Sequence, residues 1–274
     1  MARRIRKSLW TNPLSRSFGA LTRATLRAGT RATMAAAKSA RAPQRASRGA
    51  EAWLGGIAIG PAGARRYRLY RPPGALPGSP LLVMLHGCGQ DAAGFAASTR
   101  IQRLAAREGF LVLCPEQERL ANAQACWNWF DTRSGRAQAE AASIVAAIDQ
   151  VCARHRADPN RVVVAGLSAG ASMAALLALR FPQRIRAVAM HSGVAPGAAH
   201  STATAVSAMH GRRHPVPLPA DTAALPPLLV IQGSADPIVD QRNGRSAAQW
   251  WAAAATETAP RTVRGAARRG APPR

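Results

Sequence analysis

The chain has 274 residues, enough for one α/β domain of about 200 residues with a large core plus extensions. Its 37 basic and 13 acidic residues give a formal charge of +24, and the excess sits at the ends: positions 1–50 carry 12 Lys/Arg and no acid, and positions 259–274 carry five Arg and no acid. No run of 18 apolar residues is present, so no transmembrane helix is expected, and Arg16 and Arg23 interrupt the apolar core a signal peptide needs.

Three regions follow from this distribution. Residues 1–50 are expected to be a basic arm, disordered or amphipathic: Trp10, Leu14, Phe18 and Leu21 recur at helical spacing among arginines. Such an arm suits an anionic surface, an organellar address, or non-specific adhesion to nucleic acid; no specific nucleic-acid partner is predicted. Residues 51–258 form the folded domain, and 259–274 a basic, disordered tail.

Within the domain, Gly55 to Gly60 and Arg65 to Arg71 alternate as two antiparallel strands around Pro61-Ala62-Gly63. Leu81 to Leu85 is a continuous apolar run, expected of a strand buried on both faces of a parallel sheet, and it leads into His86-Gly87-Cys88-Gly89-Gln90. Asp91 caps a helix predicted to reach about Arg107. Phe110 to Cys114 is the next buried strand, stopped by Pro115, and a loop to Gly135 contains Cys126-Trp127-Asn128-Trp129-Phe130. A helix is predicted over Arg136 to Arg156, a strand over Ile185 to Met190, a loop to Pro227, a strand over Leu228 to Ile231, and a last helix from Asp240 to about Ala255.

The stretch Arg161 to Gly170 carries the chemistry. An apolar β-branched run ends in Gly166-Leu167-Ser168-Ala169-Gly170 and passes into an Ala/Leu-rich helical pattern. A serine raised on a tight strand-to-helix turn has strained backbone angles, so small residues must surround it, and the helix behind it aims amides at a developing oxyanion. Ser168 is therefore the candidate nucleophile. The candidate oxyanion amides are those of Ala169 and of Gly87 and Cys88, and Asp236, in Gly233-Ser234-Ala235-Asp236-Pro237, is the candidate orienting carboxylate; Asp240 reads better as a helix cap. No metal or dinucleotide motif is present and no cofactor is expected.

Six motifs in order, LLVMLHGCGQ (81–90), FLVLCPEQ (110–117), CWNWF (126–130), DPNRVVVAGLSAG (158–170), HSG (191–193) and GSAD (233–236), resemble the polyhydroxybutyrate (PHB) depolymerase family of secreted esterases. The resemblance covers about positions 55 to 255. It implies an α/β-hydrolase fold, a mostly parallel sheet with helices on both faces, and hydrolysis of short hydroxyalkanoate or similar esters, polymeric or small, through an acyl-enzyme. It also implies an extracellular or periplasmic location, and gives Ser168 and Asp236 the nucleophile and acid roles and Cys88 an oxyanion place.

The family's order is Ser, Asp, His, and here the chain departs from it. All six histidines (His86, His155, His191, His200, His210, His214) precede Asp236. The last strand and helix of the fold are expected to be missing, as in a truncated or frame-shifted copy, and activity to be impaired; His191 is one substitute base to consider. A non-catalytic hydrolase-like protein held to granules, anionic membrane or nucleic acid by its arm is the alternative. Trp127 and Trp129 read either as an apolar substrate wall or as core, and Cys88 and Cys126 either as a disulfide or as two buried thiols.

Overall fold

The computed structural model describes residues 53–217 and 225–254. The basic arm, its helical pattern at Trp10 to Leu21, and the tail from position 259 lie outside the described residues.

A single seven-stranded sheet organises the described residues, in the order β1-β2-β4-β3-β5-β6-β7. Strands β1 (Trp53–Gly60) and β2 (Gly63–Tyr70) form an antiparallel hairpin, and β2 also runs antiparallel to β4 (Leu111–Pro115). From β4 onward the sheet is parallel, through β3 (Ser79–Leu85), β5 (Ala157–Leu167), β6 (Ala187–His191) and β7 (Leu228–Ile231). The continuous apolar runs of β3 and β4 are central, as strands covered on both faces must be.

Helices α1 (Ala92–Thr99) and α2 (Ile101–Glu108) supply Phe95, Ala96 and Ala105 to a small cluster with Met84, Val112 and Cys114 on one face. The larger core lies on the other face, where α3 (Arg136–His155) and α4 (Ala169–Arg180) bring Ile144, Ile148, Met173 and Leu177 against Leu81, Val83, Leu85, Leu111, Leu113, Val162 and Val164. Each such side chain removed from water contributes about 1.5–3 kcal/mol. Cover thins toward β7, whose Leu229 and Ile231 remain 58% and 45% exposed.

Two elements differ from expectation. The helix after Asp91 breaks at Arg100, which takes a left-handed conformation (φ 52°), because the hydroxyls of Ser98 and Thr99 turn back onto Phe95 and Ala96 carbonyls. The region expected to be loop before Pro227 contains α5 (Thr202–Met209), capped by Ser201 and Thr204 in a reciprocal box. The last helix, α6 (Gln241–Ala254), follows β7 as predicted. Whether further elements follow concerns positions outside the described residues.

Candidate functional site

The parallel strands deliver their C-terminal ends, and the loops that follow them, to one edge of the sheet. Leu167, the last residue of β5, is followed by Ser168 with φ 56° and ψ −120°, and α4 starts at once. A Cβ on Gly166 would lie 2.2 Å from Gly170 O, and one on Gly170 would lie 2.2 Å from Leu85 O. Those two glycines let the turn close against itself and against β3, which is why the five-residue pattern demands them. The Ser168 N–H donates to His191 O (2.9 Å), and the Ser168 carbonyl accepts from Ala171 and Ser172, so the strained turn is held by β6 on one side and its own helix on the other.

The loop after β3 comes alongside. A Cβ built on Gly87 would be 3.6 Å from Ser168 Cβ. The Gly87 N–H, however, donates to Gln90 Oε1 (2.8 Å), which corrects the expectation that it supplies an oxyanion amide. Among the described residues the Cys88 and Ala169 amides have no acceptor. Cys88 is bonded to Cys126, and Gly89 N–H donates to Gln124 O (2.8 Å), so this loop is stitched to the one that follows β4. Of the two readings of this cysteine pair, the disulfide is the one present. The remaining cysteines, Cys114 and Cys152, are buried free thiols that burial pushes to about 12 and about 11, far from nucleophilic range.

Trp127 and Trp129 do not form a substrate wall. They are 0% and 7% exposed and belong to the main core. Trp127 Nε1–H donates to His86 O (3.0 Å) and its ring lies 5.0 Å from the Arg65 guanidinium, while Trp129 meets Phe130 edge-on. The Trp127 indole thereby ties the loop carrying Cys88 to the core.

Around Trp127 lies a buried polar network that motif reading missed. Gln117 N–H donates to His86 Nε2 (3.1 Å), which places the ring proton on Nδ1, where it reaches Gly87 O (2.8 Å). Burial holds His86 below its ordinary pKa and so neutral, outweighing the Gly87 carbonyl and the Glu116 and Asp91 charges that favour protonation. Arg65 donates to Gln117 Oε1 and Glu116 O, both at 2.8 Å. Glu140 accepts from Gln117 Nε2 (2.9 Å) and from Asn128 N (3.0 Å) and Nδ2 (2.6 Å). Two signals were available: Arg65 falls on the otherwise apolar face of β2, and Glu140 in the apolar stripe of α3.

Asp236 lies in the loop after β7, on the same edge of the sheet. Its Oδ1 accepts from Ile238 N (2.9 Å) and Val239 N (3.0 Å), and Oδ2 from Gln232 Nε2 (3.3 Å). Burial raises its pKa, but the Val239 and Ile238 amides, the Ser192 hydroxyl and Gln232 together bring it below the ordinary carboxylate value. Asp240 pairs with Arg242 and starts α6, as a capping residue would. Of the histidines, His191 is exposed at the end of β6, while His155 ends α3 immediately before β5 begins, at the opposite edge of the sheet. Burial, Arg133 and Arg213 hold His200 below its ordinary pKa.

The family described as Esterase PHB depolymerase matches residues 65–250 of this chain. Over 139 residues the chain is 38% identical to poly(3-hydroxyalkanoate) depolymerase C of Paucimonas lemoignei, covering 50% of this chain and 32% of that protein. Over 188 residues it is 30% identical to feruloyl esterase B of Neurospora crassa, covering 62% of this chain and 63% of that one. The chain thus spans from about a third to just under two thirds of these relatives. Among solved structures, an acetyl xylan esterase from Aspergillus awamori superposes with a TM-score of 0.62 at 19% identity, covering 74% of this chain and 80% of that one. A Pyrobaculum calidifontis esterase gives 0.52 at 21% identity, covering 73% and 72%. At these identities the structural likeness speaks to fold, which is the α/β-hydrolase fold.

Proposed function

Because this chain belongs to the PHB depolymerase esterase family, we propose that it is a serine esterase acting on short hydroxyalkanoate or related carboxylic esters, polymeric or small, through an acyl-enzyme. The observation that carries this reading is the strained Ser168 turn beside two amides, those of Cys88 and Ala169, that have no acceptor among the described residues. In the proposed mechanism Ser168 Oγ attacks the ester carbonyl, its proton passing to a base. The two amides stabilise the tetrahedral oxyanion, the alcohol leaves with that proton, and water then releases the acid by the reverse sequence. Asp236, kept ionised by its amide donors, orients and stabilises the protonated base.

The base is the open member. Of the histidines present, His191, at the end of the strand beside β5, is the first to substitute as a candidate base. The second reading is a non-catalytic hydrolase-like binding protein, which the same substitution tests. A disulfide beside the site suits an oxidising compartment, extracellular or periplasmic.

The test is p-nitrophenyl butyrate hydrolysis by the chain and by Ser168→Ala. The esterase reading expects turnover to fall by about 10³-fold or more in the variant. Equal rates in two folded proteins sink it and leave the binding reading.

A further inference from the structure

The loop carrying the Cys88 amide is anchored at two points, and both anchors converge on one residue. The first anchor is His86, whose Nδ1–H holds Gly87 O (2.8 Å) and whose Nε2 accepts the Gln117 N–H (3.1 Å). The second is Cys126, covalently joined to Cys88, whose carbonyl accepts Gln117 Nε2–H (3.0 Å). Gln117 is 1% exposed. Its amide cannot turn over, because Oε1 faces the Arg65 cation (2.8 Å) and Nε2 the Glu140 carboxylate (2.9 Å), and a flip would set donor against donor and acceptor against acceptor.

We propose that Gln117 is a positioning residue for the oxyanion site, its main chain setting the His86 ring and its locked side-chain amide setting Cys126 and, through the disulfide, the Cys88 amide beside Ser168. The inference rests on the esterase reading for its catalytic part. Gln117 touches neither Ser168 nor the place of the oxyanion among the described contacts, so its effect is indirect. Removing an oxyanion donor outright costs about 10²–10³-fold in kcat; letting one wander costs less.

The variant is Gln117→Met, which keeps length and packing but removes both side-chain donors and the acceptor. Two readouts on the full chain decide the matter. One is deuterium exchange in the segment 86–90, expected to rise about tenfold while exchange in α4 is unchanged. The other is phosphonylation of Ser168 by an alkyl p-nitrophenyl phosphonate, in which an Oγ–P bond forms, p-nitrophenolate leaves and the serine proton passes to solvent. Its rate is expected to fall about 10–100-fold, with KM for p-nitrophenyl butyrate within twofold of the parent. Unchanged exchange overturns the proposal, and so does raised exchange with an unchanged phosphonylation rate. If the parent chain itself resists the phosphonate, the esterase reading has failed, and the exchange comparison alone still decides whether Gln117 holds the loop. Should Gln117→Met not fold, Gln117→Asn, one methylene too short to reach Cys126 O, is read in the same way.

Discussion

The two flanks of Ser168 are made by different means. On the side of β3 and β4, the loop with Cys88 rests on a covalent bond, a buried cation and anion, and an indole, all inside the core. On the side of β7, the loop with Asp236 rests on hydrogen bonds from its own neighbours and from the Ser192 hydroxyl, next to a short strand with exposed leucine and isoleucine. An oxyanion donor must stay fixed while charge develops, and the deep side supplies that rigidity. A carboxylate that steers a base needs ionisation and direction, which two backbone amides provide with little burial. The rigid donor and the steering carboxylate are therefore held on opposite flanks, the one by deep burial and the other by local hydrogen bonds.

That contrast can be broken by substitution. Glu140→Ala leaves Arg65 and Gln117 buried without their anion, and is expected to cost about 3–5 kcal/mol, the range for removing one partner of a buried pair, read by urea denaturation. Cys88→Ser with Cys126→Ser opens a link between residues 38 apart, with an expected loss of about 2–4 kcal/mol in the same assay. Asp236→Ala, on the shallow side, frees two backbone amides near solvent and is expected to cost about 1–2 kcal/mol. If Asp236→Ala proves as damaging as Glu140→Ala, the division between the flanks is wrong.

Acid sharpens the same comparison. His86 titrates lower in the folded than in the unfolded chain, so the unfolded state binds the extra proton first, and stability declines as pH falls below the ordinary histidine value of 6.5. Asp236 also titrates lower when folded; its contribution is complete above its unfolded value of 3.8 and is lost as pH falls through its folded one. Each group limits the slope to about 1.4 kcal/mol per pH unit. Melting followed between pH 7.5 and 4.5 should therefore report His86, together with His155 and His200, before Asp236, and a flat profile there would show that His86 is not neutral by burial.

Much of this architecture was legible because its signals are local. Apolar runs marked β3, β4, β5 and β7, and the spacing of small residues around Ser168 marked the turn. What escaped was assembled from afar. Gln117 lies 52 residues from Arg65 and 23 from Glu140, and only folding shows that they meet. Trp127 and Trp129 alternate in a loop, where no periodicity tells inside from outside; the acceptor at His86 O settles Trp127. Helix α5 has no apolar stripe to announce it, and its one signal was the Ser201 and Thr204 cap.

The exposed side chains of β7 have a consequence for how the protein behaves in a tube. Leu229 and Ile231 stand exposed on a strand whose four residues, Leu228–Ile231, include no charge, proline or other device that discourages edge-to-edge pairing. What opposes such pairing is mutual repulsion between chains carrying +24, and that repulsion reaches only about 10 Å in 0.1 M salt. Ionic strength thus becomes a control on colloidal state: dilute buffer favours dispersed chains, and concentrated salt brings the exposed β7 side chains of different molecules within reach of one another.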